Sequence, residues 1–314
     1  MDDKLKAVFE ELGRRFLWKN YNYVYLKTML HKAKGMSDKN ATLITGSSYA
    51  LSGIKESLWN NAVNCSMSSQ DLYYDFRCAY DVISSVTPGT YKKCFIVKGY
   101  YAGFHDISSS VNERERIISS VYHPIFKDAH NWETPMEENL WKEIIRGELT
   151  EEAKTLVENI AVTKMNEMGT YYSAHRARGG TVFDLQGRQW DELSSEERMY
   201  LGEVRASAHN KLSKYTDTLE ENKEIFKDYV HFLHLNEVMP VFVIAPFTKE
   251  YNTYLVSEFK ESVMELLGYA SGEIHYVDFN QESCFEDVDF VDTDHLSEQG
   301  AQKMSLMLTN VFGR

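Results

Sequence analysis

The stretch that decides the fold is ATLITGSSYALSGIKESLW, residues 41–59. An apolar run occupies residues 41–45, ends at Gly46 and is followed by two serines. A helical pattern begins at once behind them, and its apolar face consists of Leu51, Ile54 and Leu58. A buried strand that turns directly into a helix is typical of an α/β unit.

Four other short apolar runs repeat the first one. They predict strands at residues 62–65, 93–97, 240–245 and 274–278. Most of these runs are continuous rather than alternating, which is typical of strands that are covered on both faces. Helical patterns separate them. The sequence therefore predicts an α/β fold, a three-layer, flavodoxin-like, doubly wound parallel sheet of about five strands with a large helical insertion.

The insertion is predicted because the interval between the third and fourth strands contains no convincing strand. One helix is predicted to begin at Thr150, and another begins at Ser194, where Glu197 completes a capping box. We expect the insertion to form a lid or a substrate wall at the ligand-binding end of the sheet. The predicted parts are the N-terminal part of the α/β domain (1–104), the insertion (105–215) and the C-terminal part (216–314).

Composition narrows the classes of partner. The 314-residue chain has a formal net charge of −13, which argues against nucleic acids and anionic membranes because both favour basic surfaces. No apolar run approaches the ~20 residues needed to cross a bilayer, and residues 1–18 have the period of an amphipathic helix rather than a signal peptide. The four cysteines show no CxxC spacing. We predict a cytoplasmic protein without an integral membrane segment or a nucleic-acid partner.

Two stretches some 250 residues apart carry the candidate chemistry. Ser48 follows the first strand at the start of a helix, where a developing negative charge is stabilised, although a serine there is more often only a cap. In FVDTDHLSEQGAQKMSLML (290–308), Asp292 and His295 stand three residues apart before the last helix. A serine nucleophile needs a base and an acidic group that orients the base. Asp294 is a competing orienter.

Together, the two stretches resemble the SGNH, or GDSL-type, hydrolases. Gly46-Ser47-Ser48 stands where that family has its Gly-Asp-Ser block, and residues 292–295 stand where it has Asp-x-x-His. PVFVIAPFTKEY (240–251) and DTDHLSEQGAQK (292–303) look like the branch that contains the D-alanine-transfer protein of teichoic-acid synthesis and related cell-envelope polysaccharide proteins. The resemblance implies a Ser48–His295–Asp292 triad that uses neither a metal nor an organic cofactor.

The middle blocks depart from the family pattern. VNCSMSSQDLYY (63–74) places Ser69 where the family has an oxyanion-hole glycine, which preserves the backbone N–H. FIVKGYYAG (95–103) places Tyr101 where the family has an oxyanion-hole asparagine. Loss of one such donor costs about 3 kcal/mol of transition-state stabilisation. Either Tyr101 substitutes, or the insertion supplies a donor, or catalysis is weak or absent.

Arg205 and His209 stand at i, i+4 spacing in RASAHNKLSKY (205–215) and are candidate substrate-binding residues if the insertion folds over the cleft. A surface helix is the simpler alternative.

We expect an esterase or O-acyltransferase that uses a small acyl donor and a sugar or glycan acceptor, acting on a carbohydrate or cell-envelope glycan precursor. The alternative is a non-catalytic glycan-binding or scaffolding protein that retains the fold.

Overall fold

A computed structural model of the chain describes residues 21–37, 39–110, 113–132, 183–281 and 284–313. The chain divides into two compact units, Met1–Lys32 with Ile107–Ala174 and Ala33–Asp106 with His175–Arg314. The second unit contains the whole sheet and every candidate site residue. The helix predicted at Thr150 and the amphipathic helix predicted over residues 1–18 lie outside the described residues.

The second unit is built on five parallel strands: β1 (Ala41–Gly46), β2 (Ala62–Asn64), β3 (Tyr91–Lys98), β4 (Met239–Ile244) and β5 (His275–Asp278). Their order across the sheet is β2-β1-β3-β4-β5, and each neighbouring pair is parallel. The prediction of a doubly wound α/β sheet is therefore confirmed. All of β1 is buried, as its continuous apolar run predicted.

Helices of the second unit follow most strands. They are α2 (Ser48–Gly53), α3 (Leu72–Ile83), α5 (Ser195–Asn210), α6 (Thr216–Leu235), α7 (Lys249–Tyr254), α8 (Glu258–Tyr269) and α9 (Glu298–Phe312). The described elements that lie wholly in the first unit are short: a 3₁₀ helix at Ile107–Ser109, a π-helical segment at Arg114–Tyr122 and α4 at His123–Phe126. Helix α1 spans Tyr21–Lys34.

Two aromatic contacts show how both faces of the sheet are covered. Phe95 of β3 and Phe242 of β4 lie on opposite faces, since Phe242 is in register with the residue that follows Phe95. Phe312 of α9 packs on Phe95 with ring centroids 5.5 Å apart, and Phe226 of α6 packs on Phe242 at 5.2 Å. The result is a three-layer α/β/α arrangement around one apolar core.

Sequence-local signals fix several helix starts. Ser194 caps α5, and Glu197 returns the capping-box hydrogen bond, as predicted. Ser297 caps α9 by accepting the Gly300 N–H. In the described part of the chain, none of the helices is long and apolar enough to cross a membrane.

The strand order reverses between β1 and β3, because β2 lies on one side of β1 and β3 lies on the other. In doubly wound sheets the crevice at such a reversal, beyond the carboxyl ends of the strands, is where ligands bind. Ser48 follows β1 and Tyr101 follows β3, so both residues emerge at this reversal.

Candidate active site

The turn between β1 and α2 presents Ser48. Gly46 has φ +143°, and a Cβ at this position would overlap the Val97 carbonyl oxygen of the neighbouring strand. Only glycine permits this close approach together with this backbone conformation. The chain therefore passes from a buried strand to the half-buried Ser48 within two residues, and Ser48 is the first residue of α2.

His295 lies directly against this serine. Its Nε2 atom is 2.9 Å from Ser48 Oγ, and its Nδ1 atom is 3.1 Å from each carboxylate oxygen of Asp292. A carboxylate only accepts hydrogen bonds, so Nδ1 carries the proton and Nε2 of the neutral ring is left to accept from the serine. Ser48, His295 and Asp292 thus form a continuous hydrogen-bonded chain.

The loop that carries Asp292 is held from both ends. Asp292 Oδ1 accepts the backbone N–H groups of Asp294 and His295 at 3.0 and 2.8 Å. Thr248, the cap of α7, donates both its N–H and its hydroxyl to the Thr293 carbonyl. These bonds fix the direction of the Asp292 carboxylate before any substrate arrives.

Asp294, the competing orienter, is engaged elsewhere. Arg205 Nε lies 3.1 Å from both of its carboxylate oxygens, and Arg205 Nη2 donates to Oδ2 at 3.0 Å. The Tyr49 hydroxyl donates to Oδ2 at 2.8 Å, and the Thr293 hydroxyl donates to Oδ1 at 2.9 Å. Its distance to His295 Nδ1 is 3.5 Å, longer than the Asp292 contacts. Asp292 is the orienter.

The two carboxylates dominate the electrostatics of the histidine. Burial lowers the pKa of His295, but Asp292 and Asp294 outweigh burial and raise it to about 9. Burial alone raises the pKa of Asp294, yet the neighbouring His295 and Arg205 hold it well below its usual range. The imidazolium form of His295 is therefore strongly stabilised.

Ser69 occupies a left-handed backbone conformation with φ +60°, which explains why a glycine suits this position. It follows β2, in a segment where the Met67 N–H still donates to the Gly46 carbonyl at 3.2 Å. The Lys98 ammonium donates to the Gln70 carbonyl at 2.7 Å, next to Ser69 in the chain. This contact ties the loop that carries Ser69 to the end of β3.

Lys98 is itself part of a buried ion pair that sequence reasoning missed. Its ammonium lies 2.5 Å from Asp75, and Gln70 Nε2 donates to the same carboxylate at 2.7 Å. Burial raises the pKa of Asp75, and the Lys98 charge acts against that shift. The available signal was a charged residue at the end of an otherwise apolar strand, with an acidic partner on the buried face of α3.

Tyr101 lies beside the triad in the short 3₁₀ helix Tyr100–Phe104. Its hydroxyl is 3.2 Å from the Tyr49 hydroxyl, and its ring centroid is 4.3 Å from that of His209. Tyr49 in turn packs on His295 with ring centroids 5.3 Å apart. The structure therefore connects Tyr101 to the triad through Tyr49, and its role as an oxyanion donor stays a prediction.

Arg205 and His209 both reach this region from α5. The Arg205 guanidinium pairs with Asp294, whereas His209 Nδ1 contacts the Tyr251 hydroxyl. Burial, with the nearby Arg205 charge, lowers the pKa of His209 to about 3, so its ring is neutral at physiological pH. Both side chains lie beside Asp294 and Tyr101 rather than on a surface helix remote from the triad, while direct contact with a substrate stays a prediction.

No protein-family model matches this chain, and a search of curated proteins finds no match either. The chemical interpretation of the site therefore depends on the contacts described above.

The site also contains a group of side chains whose spacing would suit a metal ion. Asp292, Asp294 and His295 each place one ligand atom within 4.8 Å of the others. Those ligand atoms already have hydrogen-bond partners within the protein. His295 Nδ1 bonds to Asp292, and Asp294 accepts from Arg205, Tyr49 and Thr293. A cation would have to displace the guanidinium and deprotonate Nδ1, so we do not propose a metal site at these three side chains.

Proposed function

We propose that this protein is a serine-dependent acyl-transfer enzyme, an esterase or O-acyltransferase of SGNH type. The observation that carries the proposal is the 2.9 Å contact between His295 Nε2 and Ser48 Oγ, with Asp292 on the opposite ring nitrogen. A hydroxyl paired with an oriented imidazole is the arrangement that activates serine as a nucleophile.

The reaction begins when Ser48 Oγ attacks the carbonyl carbon of an ester and His295 Nε2 takes the serine proton. Asp292 stabilises the imidazolium that results. The tetrahedral oxyanion is received by the backbone N–H groups of Ser48 and Ser69. His295 then returns the proton to the departing alcohol as the ester C–O bond breaks, which leaves an acyl group on Ser48.

The second half-reaction repeats these steps with a new hydroxyl. Water or an acceptor alcohol gives its proton to His295 and attacks the acyl carbon, and Ser48 leaves with the proton returned from the ring. Water as the acceptor makes the protein an esterase, and a sugar hydroxyl makes it an O-acyltransferase. We favour a carbohydrate or cell-envelope glycan precursor as the acceptor because of the resemblance of residues 240–251 and 292–303.

Labelling with a fluorophosphonate probe tests the nucleophile. We expect one covalent adduct on the Ser48 peptide, identified by mass, and none in Ser48→Ala. Ser47→Ala is the matched control, because Ser47 is buried beside the nucleophile and its hydroxyl makes no hydrogen bond within the described part of the chain. That variant should keep the adduct. Absence of labelling in the wild type at every pH would contradict the proposal.

The pH dependence of labelling tests the base. Neutral His295 is the active form, and its pKa is raised to about 9, so the rate should rise with pH and level off above about pH 9. A screen of small acyl esters with sugar acceptors, read by mass, then identifies the donor and the acceptor.

A non-catalytic glycan-binding protein is the second candidate. Tyr101 stands in the place of the family's asparagine, and its hydroxyl is directed to Tyr49, which favours this alternative. Glycan binding by a wild-type protein that is never labelled at Ser48 would support it.

A further inference from the structure

Asp294 is a second carboxylate beside His295, and the triad assigns it no role. Asp294 is fully buried and lies 3.5 Å from His295 Nδ1, close enough to compete with Asp292 for the ring. An unopposed buried carboxylate at this distance would attract the imidazolium and pull the ring from its present partner. Something must therefore hold the Asp294 carboxylate in its present orientation.

Arg205 is suited to that task. Its side chain reaches Asp294 from α5, 89 positions away in the chain, and binds both carboxylate oxygens. Such a forked contact fixes orientation as well as charge, because the guanidinium is planar and always protonated. Only 21% of the arginine side chain is exposed, so solvent weakens the pair little.

We propose that Arg205 is a positioning residue of the triad: it holds Asp294 in a forked ion pair and so leaves Asp292 as the hydrogen-bond partner of His295. Its role in acyl transfer rests on the proposed function, whereas its effect on the histidine does not. Helix α5, which belongs to the predicted insertion, thereby contributes a residue that positions the triad.

Several groups face the histidine from the elements packed around it. Asp292 and Asp294 belong to its own loop, Arg205 and the neutral His209 belong to α5, and the side chains of Ser48 and Tyr49 approach from α2. Of these, Arg205 is the one that carries a positive charge, and it sits on the carboxylate that does not orient the ring. Removing it exposes the histidine to a second full negative charge.

Opposite pKa shifts at His295 are the expected signature of this arrangement. Arg205→Met removes the cation and should raise the His295 pKa by about 1 unit, while Asp294→Asn removes the anion and should lower it by about 1 unit. The double variant Arg205→Met/Asp294→Asn has no net charge at the pair and should return close to the wild-type value. Arg205→Lys keeps the charge without the fork and should shift the pKa less than Arg205→Met.

NMR titration of the histidine ring signals measures these shifts without any assay of activity. The chain has ten histidines, and the ring signal that is missing from the spectrum of His295→Gln is the signal of His295. Shifts of Arg205→Met and Asp294→Asn in the same direction, or no shift in either, would overturn the proposal. If Arg205→Met does not fold, Asp294→Asn and Arg205→Lys decide the question against the wild type.

Labelling of Ser48 separates this inference from the proposed function. In a labelled protein, the acid limb of the rate profile should move to higher pH in Arg205→Met and to lower pH in Asp294→Asn. A simple loss of packing would reduce the labelling rate of both variants, but it would not shift the acid limbs of their pH profiles in opposite directions. If the wild type is not labelled, the proposed function fails, and the NMR titration still tests whether Arg205 controls the ring.

Discussion

Ser69 illustrates how a backbone conformation that favours glycine can be held by another residue. Its φ of +60° is a conformation that costs a non-glycine residue roughly 1–2 kcal/mol. Serine remains there because the Lys98 contact to Gln70 and the adjoining strand bonds hold the loop on both sides. The N–H group, which is the part that oxyanion binding needs, is the same in serine and glycine.

Ser69→Gly should therefore stabilise the protein. Relief of the left-handed strain exceeds the extra entropy of glycine in the unfolded chain, so we expect the free energy of unfolding to rise by roughly 0.5 kcal/mol. Urea unfolding measures the change.

Ser68→Gly provides the control, since Ser68 is the adjacent serine without a positive φ. It should lower the free energy of unfolding by about 0.5–1 kcal/mol, because glycine brings only its entropic cost there. Equal effects of the two substitutions would contradict the strain argument.

The sequence predicted the three triad residues because each belongs to a short motif with fixed spacing. It left the choice between Asp292 and Asp294 open, since both are aspartates within three residues of His295 and only a distant partner distinguishes them. That partner, Arg205, comes from a segment with no motif. The Lys98–Asp75 pair was missed for the same reason, because neither residue marks the other in the sequence.

Helix α5 is joined to the rest of the second unit along its whole length. Arg198 near its start binds Glu250 at 3.3 Å, and Asn210 at its end donates to the Tyr254 carbonyl at 2.8 Å. Between them, Gly202 packs against the backbone of Glu250 on α7, where a Cβ would meet three backbone and side-chain atoms within 3 Å. This close approach brings Arg205 to Asp294.

Gly202→Ala should push α5 away from α7. Overpacking at a site whose nearest neighbours are backbone atoms costs about 1–3 kcal/mol, so we expect the free energy of unfolding to fall by that amount. The helix propensity of alanine, up to about 1 kcal/mol better than that of glycine, offsets part of the loss. Urea unfolding measures the balance.

Gly268→Ala is the matched control on α8. An added Cβ at Gly268 meets no atom of the described residues within 4 Å, so the same substitution should stabilise the protein by up to about 1 kcal/mol. If alanine stabilised both positions alike, the close packing of α5 on α7 would not be what limits residue 202.

At the scale of the whole molecule, the contributions of three histidines to stability change with pH in opposite directions. Burial, with Lys98, lowers the pKa of His105 to about 4, and burial with Arg205 lowers that of His209 to about 3. Their contribution to stability is present above pH 6.5 and is lost as pH falls toward 3–4. His295 is opposite, since its pKa is raised: its contribution is full below pH 6.5 and is lost as pH rises through about 9.

Stability should therefore be greatest near pH 6.5–7 and should fall on the acid side by roughly 1 kcal/mol per pH unit for each of the two histidines. Urea unfolding at pH 5, 7 and 9 measures this profile. His209→Phe should flatten the acid side, and the same substitution at the exposed His231 controls for loss of an imidazole. An acid side as steep in His209→Phe as in the wild type would exclude His209 as a cause.

The sheet was the most predictable part of the molecule. Continuous apolar runs such as residues 41–45 and 240–245 carry their own signal, and the ends of the observed strands lie within two residues of the predicted ends. The observed order β2-β1-β3-β4-β5 is the flavodoxin-like order that was predicted. That prediction came from the fold class, because the sequence of a parallel strand does not specify which strand lies beside it. The docking of α5 could not be predicted from the sequence, because it depends on the close approach of Gly202 to α7, a helix that lies almost fifty residues further along the chain.

The long separation between Ser48 and His295, 247 positions in the chain, has a consequence for biosynthesis. A growing polypeptide exposes its β1 turn early, but the imidazole that would activate the hydroxyl emerges from the ribosome only after β5 has been made. Under the proposed acyl-transfer function, a nascent chain that stops before the segment with His295 lacks the base for Ser48, so nucleophilic reactivity of the hydroxyl would require that segment to be synthesised and folded against the β1 turn.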